Sequence, residues 1–184
     1  TTPTLVALAM HESMYENPML QRHMESLAQA GVSFVAPKME EGKAKLAEPD
    51  DIVEHVLRIL GPGTLAGKKL LVVNGATQEP IDAMRVLSNR SSGRTGAALV
   101  REAWRLGANV EHWFGHGEAP LPNVPTKRFD TIDDVLKLAP SASRFDAVLV
   151  PAALGDFLVE KSKGKLSSDK PPMLTLATAP KALD

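Results

Sequence analysis

An apolar run, Leu70-Leu-Val-Val73, leads into Gly75-Ala-Thr-Gln-Glu-Pro-Ile-Asp82 and then Ser88-Asn-Arg-Ser-Ser-Gly-Arg-Thr-Gly96, where a helical pattern begins. The run reads as a strand that stops at a glycine-containing turn before a helix, which confines the segment to the α/β class. The same junction makes an anion site. Backbone N–H groups and the positive end of the helix dipole converge there, and phosphate is the usual guest.

The rest of the chain repeats this alternation. Residues 5–9 read as a short buried strand. Pro18 to Ala30 reads as a helix, with proline in its first turn, Gly31 as its stop, and Leu20, Met24, Leu27 and Ala28 at helical spacing. A strand follows over 32–36. A helix over 50–60, opened by Asp50 and Asp51, gathers Ile52, Val53, Val56, Leu57 and Leu60 on one face. Gly61-Pro-Gly-Thr-Leu-Ala-Gly67 is the best linker candidate and divides 1–60 from 68–184. Beyond it come a strand at 69–74, a helix at 93–106 ended by Gly107, a strand at 108–113, and a loop with Pro120, Pro122 and Pro125. A strand near 124–129, a helix at 131–138 and strands at 146–151 and 173–178 complete the pattern. Thr131 and Asp134 occupy the two positions of a capping box. Such alternation implies parallel sheets with right-handed crossovers.

Composition narrows the function classes. The formal net charge is −1, so long-range attraction to nucleic acid or to an anionic membrane is not expected. Cysteine is absent, which excludes disulfides, thiolate metal sites and a cysteine nucleophile, and fits a cytoplasmic protein. No apolar run approaches the roughly 20 residues that span a bilayer. The first ten residues lack the basic start of a signal peptide and enter a strand at once, the pattern of a fragment. His11, His23, His55, His112 and His116 show no metal spacing.

Several residues could carry chemistry. Ser91, Ser92, Gly93 and Gly96 would hold phosphate oxygens, with Arg90 and Arg94 adding charge-assisted bonds. The competing reading is a plain turn, with Gly96 there for close packing of helix on sheet. A nicotinamide fingerprint would set G-x-G-x-x-G directly after the 69–74 strand, where only Gly75 stands, so a dehydrogenase is disfavoured. Asn89 could donate to a developing oxyanion, although an Asx turn is the commoner use of asparagine. Asp156 follows the 146–151 strand, where a carboxylate could contact ribose, base or a magnesium-bound water; a helix N-cap fits its spacing equally. Lys161, Lys163, Lys165 and Lys170 could close over a triphosphate, while charge patterning alone favours a solvated loop.

The segments from Gly67 to Asp82 and from Ser88 to Gly96 resemble the opening of the synthetase domain in the bifunctional phosphopantothenoylcysteine decarboxylase/synthetase family of coenzyme A biosynthesis. Pro151-Ala-Ala-Leu-Gly-Asp156, Gly164-Lys-Leu-Ser-Ser168 and Ala179-Pro-Lys-Ala-Leu-Asp184 match later synthetase motifs in order. Residues 1–60 resemble the C-terminal part of the flavin-dependent decarboxylase, with Ala9 to Pro18 at its substrate motif in an archaeal-like form. The resemblance implies a Rossmann-like parallel sheet preceded by the C-terminal α/β portion of a flavoprotein-like decarboxylase. It implies a CTP-dependent ligase using Mg²⁺, which joins 4′-phosphopantothenate to cysteine through an acyl-nucleotidylate. On it, Asn89 stabilises the acyl intermediate and Lys165 contacts the nucleotide phosphates. Ala152 and Asp156 contact nucleotide, and Ala179, Pro180, Lys181 and Ala182 form a nucleotide-binding turn. Gly75 belongs with Arg90, Ser91, Ser92, Gly93 and Gly96 in the phosphate loop. Met10, His11 and Met14 stand in the decarboxylase motif, and FMN belongs to that half. The family's synthetase part dimerises and its decarboxylase part resembles trimer-forming flavoproteins.

The chain departs from the family at His11, where asparagine is usual, at Tyr15, where tryptophan is usual, and at the decarboxylase flap, where Glu41 to Leu46 carries no cysteine. It reads as the middle of a longer bifunctional chain, without the flavin-binding half and its catalytic histidine and without the end of the synthetase. Base choice between CTP and ATP stays open, as does oligomeric state. Two alternatives stand beside the ligase: a flavin-decarboxylase portion, and a non-catalytic fragment that contributes subunit contacts.

Overall fold

Pro18 and Gly31 bracket a helix, as the fixed φ of one and the free φ of the other require. A computed structural model of the chain describes residues 2–119, 123–162, 164–167, 169 and 172–182. The chain divides into two units, Thr1–Thr64 with Arg105–Gly107, and Leu65–Trp104 with Ala108–Asp184. Pro120, Pro122, Lys163, Ser168, Lys170, Leu183 and Asp184, which the sequence reading used, lie outside the described residues.

In the first unit, β1 (Thr4–Ala7) pairs in parallel with β3 (Val32–Val35), Thr4 opposite Val32. Between them run β2 (Met10–His11), the single turn α1 (Glu12–Tyr15) and α2 (Pro18–Gln29). The Asn17 side chain caps α2 by accepting from Met19 N–H at 2.9 Å. After β3, β4 (Lys38–Glu40) and β5 (Lys43–Lys45) form an antiparallel hairpin that β2 extends. The sequence reading misses this hairpin, because Lys-Met-Glu and Lys-Ala-Lys alternate in charge with little apolar signal. Helix α3 (Pro49–Leu60) starts one residue before the expected Asp50. Asp50 and Asp51 lie in its first turn, where the helix dipole favours them, instead of opening it. Strand β1 is half-buried, not buried as expected. The apolar stripes of α2 and α3 also stay open within this unit, with Val53 54% and Leu60 70% exposed. Its buried apolar residues are Val35, Ala44 and Ala47.

The second unit is built on β6 (Lys69–Asn74), β9 (Asn109–Phe114), β10 (Thr126–Arg128) and β11 (Ala147–Leu149), all parallel, in the order β10-β9-β6-β11. The chain leaves β6 toward β9 by α4 (Arg94–Arg105) and returns to the other side of β6 after α5 (Ile132–Leu138). Period-2 alternation divides the central strand between two cores. Leu70 and Val72 pack with Val100 and Ala103 of α4 and with Val110. Leu71 and Val73 pack with Trp113, Phe129 and Val135 of α5. The capping box of α5 is present as read: Thr131 Oγ1 accepts from Asp134 N–H at 3.3 Å while Asp134 accepts from Thr131 N–H at 3.0 Å.

Two further pairs lie beside this sheet. Between the 69–74 strand and the helix expected at 93–106, β7 (Gln78–Pro80) and β8 (Val86–Ser88) form an antiparallel hairpin. Asp156 is followed by β12 (Phe157–Val159), which pairs with β13 (Leu176–Thr178), so the helix N-cap reading of Asp156 is overturned.

Leu71 is fully buried whereas Thr131 acts through its cap alone. Leu71→Ala is expected to lower unfolding free energy by about 2–5 kcal/mol, and Thr131→Ala by about 1 kcal/mol. Urea denaturation followed by tryptophan fluorescence checks both; equal losses would contradict this account of the core.

Candidate functional site

The carboxyl ends of β6, β9 and β11 meet at Ala76. Its N–H donates to His116 C=O at 2.8 Å and its C=O accepts from His116 N–H at 2.9 Å. One residue earlier, Gly75 C=O accepts from Ala153 N–H at 2.8 Å. Gly75 adopts φ +84°, and a Cβ there would stand 2.8 Å from His116 C=O, so glycine is required on both counts. In open α/β sheets ligands bind outside strand carboxyl ends where the connections diverge, and β6 and β11 diverge here.

The structure draws several of the expected residues into this place. Asn89 follows β8, and its Nδ2 donates to Ala153 C=O at 3.3 Å and Leu154 C=O at 3.0 Å. Its amide therefore fastens the 152–155 loop, and these long-range bonds replace the local Asx turn that asparagine chemistry suggests. Thr77 is buried beside it: Thr77 Oγ1 accepts from Gly155 N–H at 2.8 Å, and Thr77 C=O accepts from Ser88 Oγ at 2.7 Å. Asp156 C=O accepts from Ala179 N–H at 2.9 Å, while its carboxylate pairs with Lys181 at 2.7 Å. Ala152 and Ala182 pack on the Trp113 side of the core. Pro180 is exposed.

The expected phosphate loop rests on a buried polar pair. Asn74 Nδ2 donates to Gly93 C=O at 2.8 Å and lies 3.5 Å from His112 Nε2. A Cβ on Gly96 would overlap the Asn74 side chain, so Gly96 serves close packing of α4 on the sheet. The loop's other ties run through Ser92 C=O, which accepts from Glu118 and Ala119 N–H at 3.2 and 2.9 Å. Arg90, Ser92 and Arg94 are exposed and Ser91 is half-buried. Arg90, Arg94 and Lys165 form no ion pair among the described residues.

Three residues in this region escape a reading of the sequence. Asn74 and His112 are polar residues inside apolar strands, buried because of what packs over them. Asp82 is the third. Its carboxylate accepts from Met84 and Arg85 N–H at 2.7 and 2.8 Å and from Leu166 N–H at 3.0 Å, and pairs with Arg85 at 2.8 Å. These bonds hold the carboxyl below its usual pKa, the Met84 N–H most of all. Its only sequence signal is the local Asp-x-x-Arg spacing, since Leu166 is remote. A groove of about 290 Å³, lined in part by Val159, Lys161, Ser162, Leu166 and Met173, lies alongside. His116 pairs with Asp130 at 2.9 Å, and no group of three metal-ligating side chains occurs among the described residues.

Met10, His11 and Met14 lie in the first unit. Met10 pairs with Ala44, and His11 Nδ1 accepts from Ser13 N–H at 3.3 Å, capping α1. His11 and Met14 are exposed.

Burial, with the Arg128 charge as a second cause, lowers the His112 pKa to about 4, below the ordinary 6.5. The unfolded chain then takes up a proton near pH 6.5 that the native state refuses until about pH 4. This contribution is complete above pH 6.5 and is lost as pH falls toward 4, by at most about 1.4 kcal/mol per pH unit. His112→Gln is expected to flatten the stability–pH slope in that window relative to wild type; unchanged slopes in denaturant titrations would refute it. Gly96→Ala should lower stability by about 1–3 kcal/mol through overpacking against Asn74, which calorimetric melting would detect.

Comparison with known proteins places this geometry. Residues 65–184 match the model of the DNA/pantothenate metabolism flavoprotein C-terminal domain, and residues 1–61 match the Flavoprotein model. The chain is 38% identical over 187 residues to the "Coenzyme A biosynthesis bifunctional protein CoaBC" of Thermococcus kodakarensis, covering 100% of this chain and 46% of that protein. It is 36% identical to the protein of the same description from Methanocaldococcus jannaschii, covering 99% and 45%. The chain thus spans about half the length of these relatives. The crystal structure of the C-terminal domain of coenzyme A biosynthesis bifunctional protein CoaBC superposes with a TM-score of 0.57 at 28% identity, covering 66% of this chain and 58% of that one. No helix among the described residues is long and apolar enough to cross a membrane. With more than half of its length matched by one family model, the chain belongs to the DNA/pantothenate metabolism flavoprotein family.

Proposed function

We propose that this chain is a portion of a bifunctional enzyme of coenzyme A biosynthesis. The Flavoprotein match over residues 1–61 supports the flavin-decarboxylase half of that reading, and the matched family names favour it over the ligase half. Met10, His11 and Met14 would contribute to the decarboxylase's substrate motif. Among the described residues of this unit no buried side-chain polar atom lacks a hydrogen-bond partner, so none marks a place for FMN.

For residues 65–184 the observation that supports the ligase reading is the meeting of the Asn89, Ala153 and Asp156 loops at the divergent carboxyl ends of a parallel sheet. In this reading the 4′-phosphopantothenate carboxylate attacks the α-phosphorus of CTP. Pyrophosphate leaves and an acyl-nucleotidylate forms. The cysteine amine then attacks the acyl carbon, giving the amide and releasing the nucleoside monophosphate. The loop of Gly75 and Arg90 to Gly93 binds phosphate, and Lys165 meets the triphosphate. Ala152, Asp156 and Ala179 to Ala182 hold the nucleotide, with Lys181 exchanging its Asp156 partner for an incoming phosphate. Asn89 holds the 152–155 loop and orients the acyl intermediate. Magnesium would be held by the triphosphate oxygens and would supply neutralisation of their charge there. Assembly follows the family, with the synthetase part dimeric and the decarboxylase part trimeric.

The ligase assignment is tested in the full-length protein by isothermal titration with CTP and ATP, each with Mg²⁺ and 4′-phosphopantothenate. Heat with CTP alone supports CTP as the substrate; heat with ATP alone reassigns the base; binding of neither refutes the site. Asn89→Asp should slow turnover about 100-fold or more while nucleotide affinity changes far less, and an unchanged turnover removes Asn89 from the chemistry. Lys165→Gln should weaken triphosphate affinity about tenfold.

A further inference from the structure

The side chain of Asp82 is fully buried, and its two oxygens do different work. Oδ1 accepts from Met84 and Arg85 N–H at 2.7 and 2.8 Å and closes the β7–β8 turn. That turn needs no more than this. Oδ2 accepts from Leu166 N–H at 3.0 Å and from Arg85 Nη1 at 2.8 Å. Arg85 Nη1 in turn reaches Leu166 C=O at 3.4 Å, and Ser162 N–H donates to Ile81 C=O at 2.9 Å. The tip of the hairpin thus holds the chain on both sides of Lys165. The other end of the same hairpin is Ser88, tied to Thr77, and the next residue is Asn89.

We infer that Asp82 is a positioning residue that fixes Lys165 against the hairpin carrying Asn89, setting the distance between a phosphate-binding cation and the acyl-orienting amide. The inference rests on the ligase reading. It explains why a turn carboxylate is buried at all. A solvated Asp could close the turn equally well, whereas a buried one must be compensated by several donors, here four. A neutral amide at this position keeps one acceptor for the turn and loses the one that faces Leu166.

The test uses the full-length protein and a pyrophosphate-release assay. Asp82→Asn should raise the KM for nucleotide about tenfold with kcat held within about twofold. Leu166→Pro, which removes the donating N–H and leaves the hairpin intact, should do the same and serves if Asp82→Asn does not fold. Because Asp82 acts through Lys165, the double variant Asp82→Asn/Lys165→Gln should bind nucleotide no worse than Lys165→Gln alone. Multiplying losses, a fall in kcat at unchanged KM, or no effect of either variant would overturn the inference. A wild-type protein that releases no pyrophosphate with any nucleotide overturns the ligase reading and this inference together. An active wild type with an unaffected Asp82→Asn overturns this inference alone.

Discussion

Everything around the candidate site hangs from main-chain bonds at residues 75–77. Ala76 continues β6 beyond the sheet and bonds His116 on one side, while Gly75 and Thr77 bond Ala153 on the other. Parallel strands deliver their loops to one edge but do not join them. Here backbone bonds join the loops, and the side chains of Thr77, Ser88 and Asn89 reinforce them. Arg90 and Arg94, exposed and with no ion pair among the described residues, stand outside this joint. The joint also explains the demand for glycine at position 75, where the adjoining strand comes too near for a side chain.

Helix-forming and strand-forming periods were readable wherever burial imposed them. The 69–74 strand, the helix ending at Arg105 and the 131–138 helix with its capping box lie within a residue or two of expectation, because two opposed cores select side chains on alternate faces. The failures share a cause. Strands β4, β5, β7, β8 and β12 are three residues each, too short to display an apolar period, and Lys-Met-Glu, Lys-Ala-Lys and Gln-Glu-Pro carry charge or Pro as well. Edge pairing of that kind is set by turn geometry and by distant partners, such as Leu166 for Asp82, which no local window contains.

The site was partly legible for a related reason. Glycines and asparagine near a strand end announce a turn, and Asn89 and the 152–156 loop are drawn together by the fold. The buried pair beneath the loop was not legible. Asn74 closes an apolar strand and His112 interrupts another, and each looks like noise until Gly93 and Gly96 are seen over Asn74, which reaches His112. Gly96 then changes meaning. Its spacing suggests phosphate contact, while its geometry makes it the gap that admits the Asn74 amide, which in turn holds Gly93 C=O. The glycine shapes the anion loop from below.

The exposed cations Arg90, Arg94 and Lys165 stand out against an overall charge of −1. Arg90, Arg94 and Lys165 have no ion partner among the described residues. Lys181 has one, Asp156, yet both side chains are more than half exposed, 59% and 64%. Such a pair contributes about 0–1 kcal/mol in water. The Asp156–Lys181 contact is thus weakly held, whereas the Asp82 carboxylate, with four donors and no solvent contact, is firmly held.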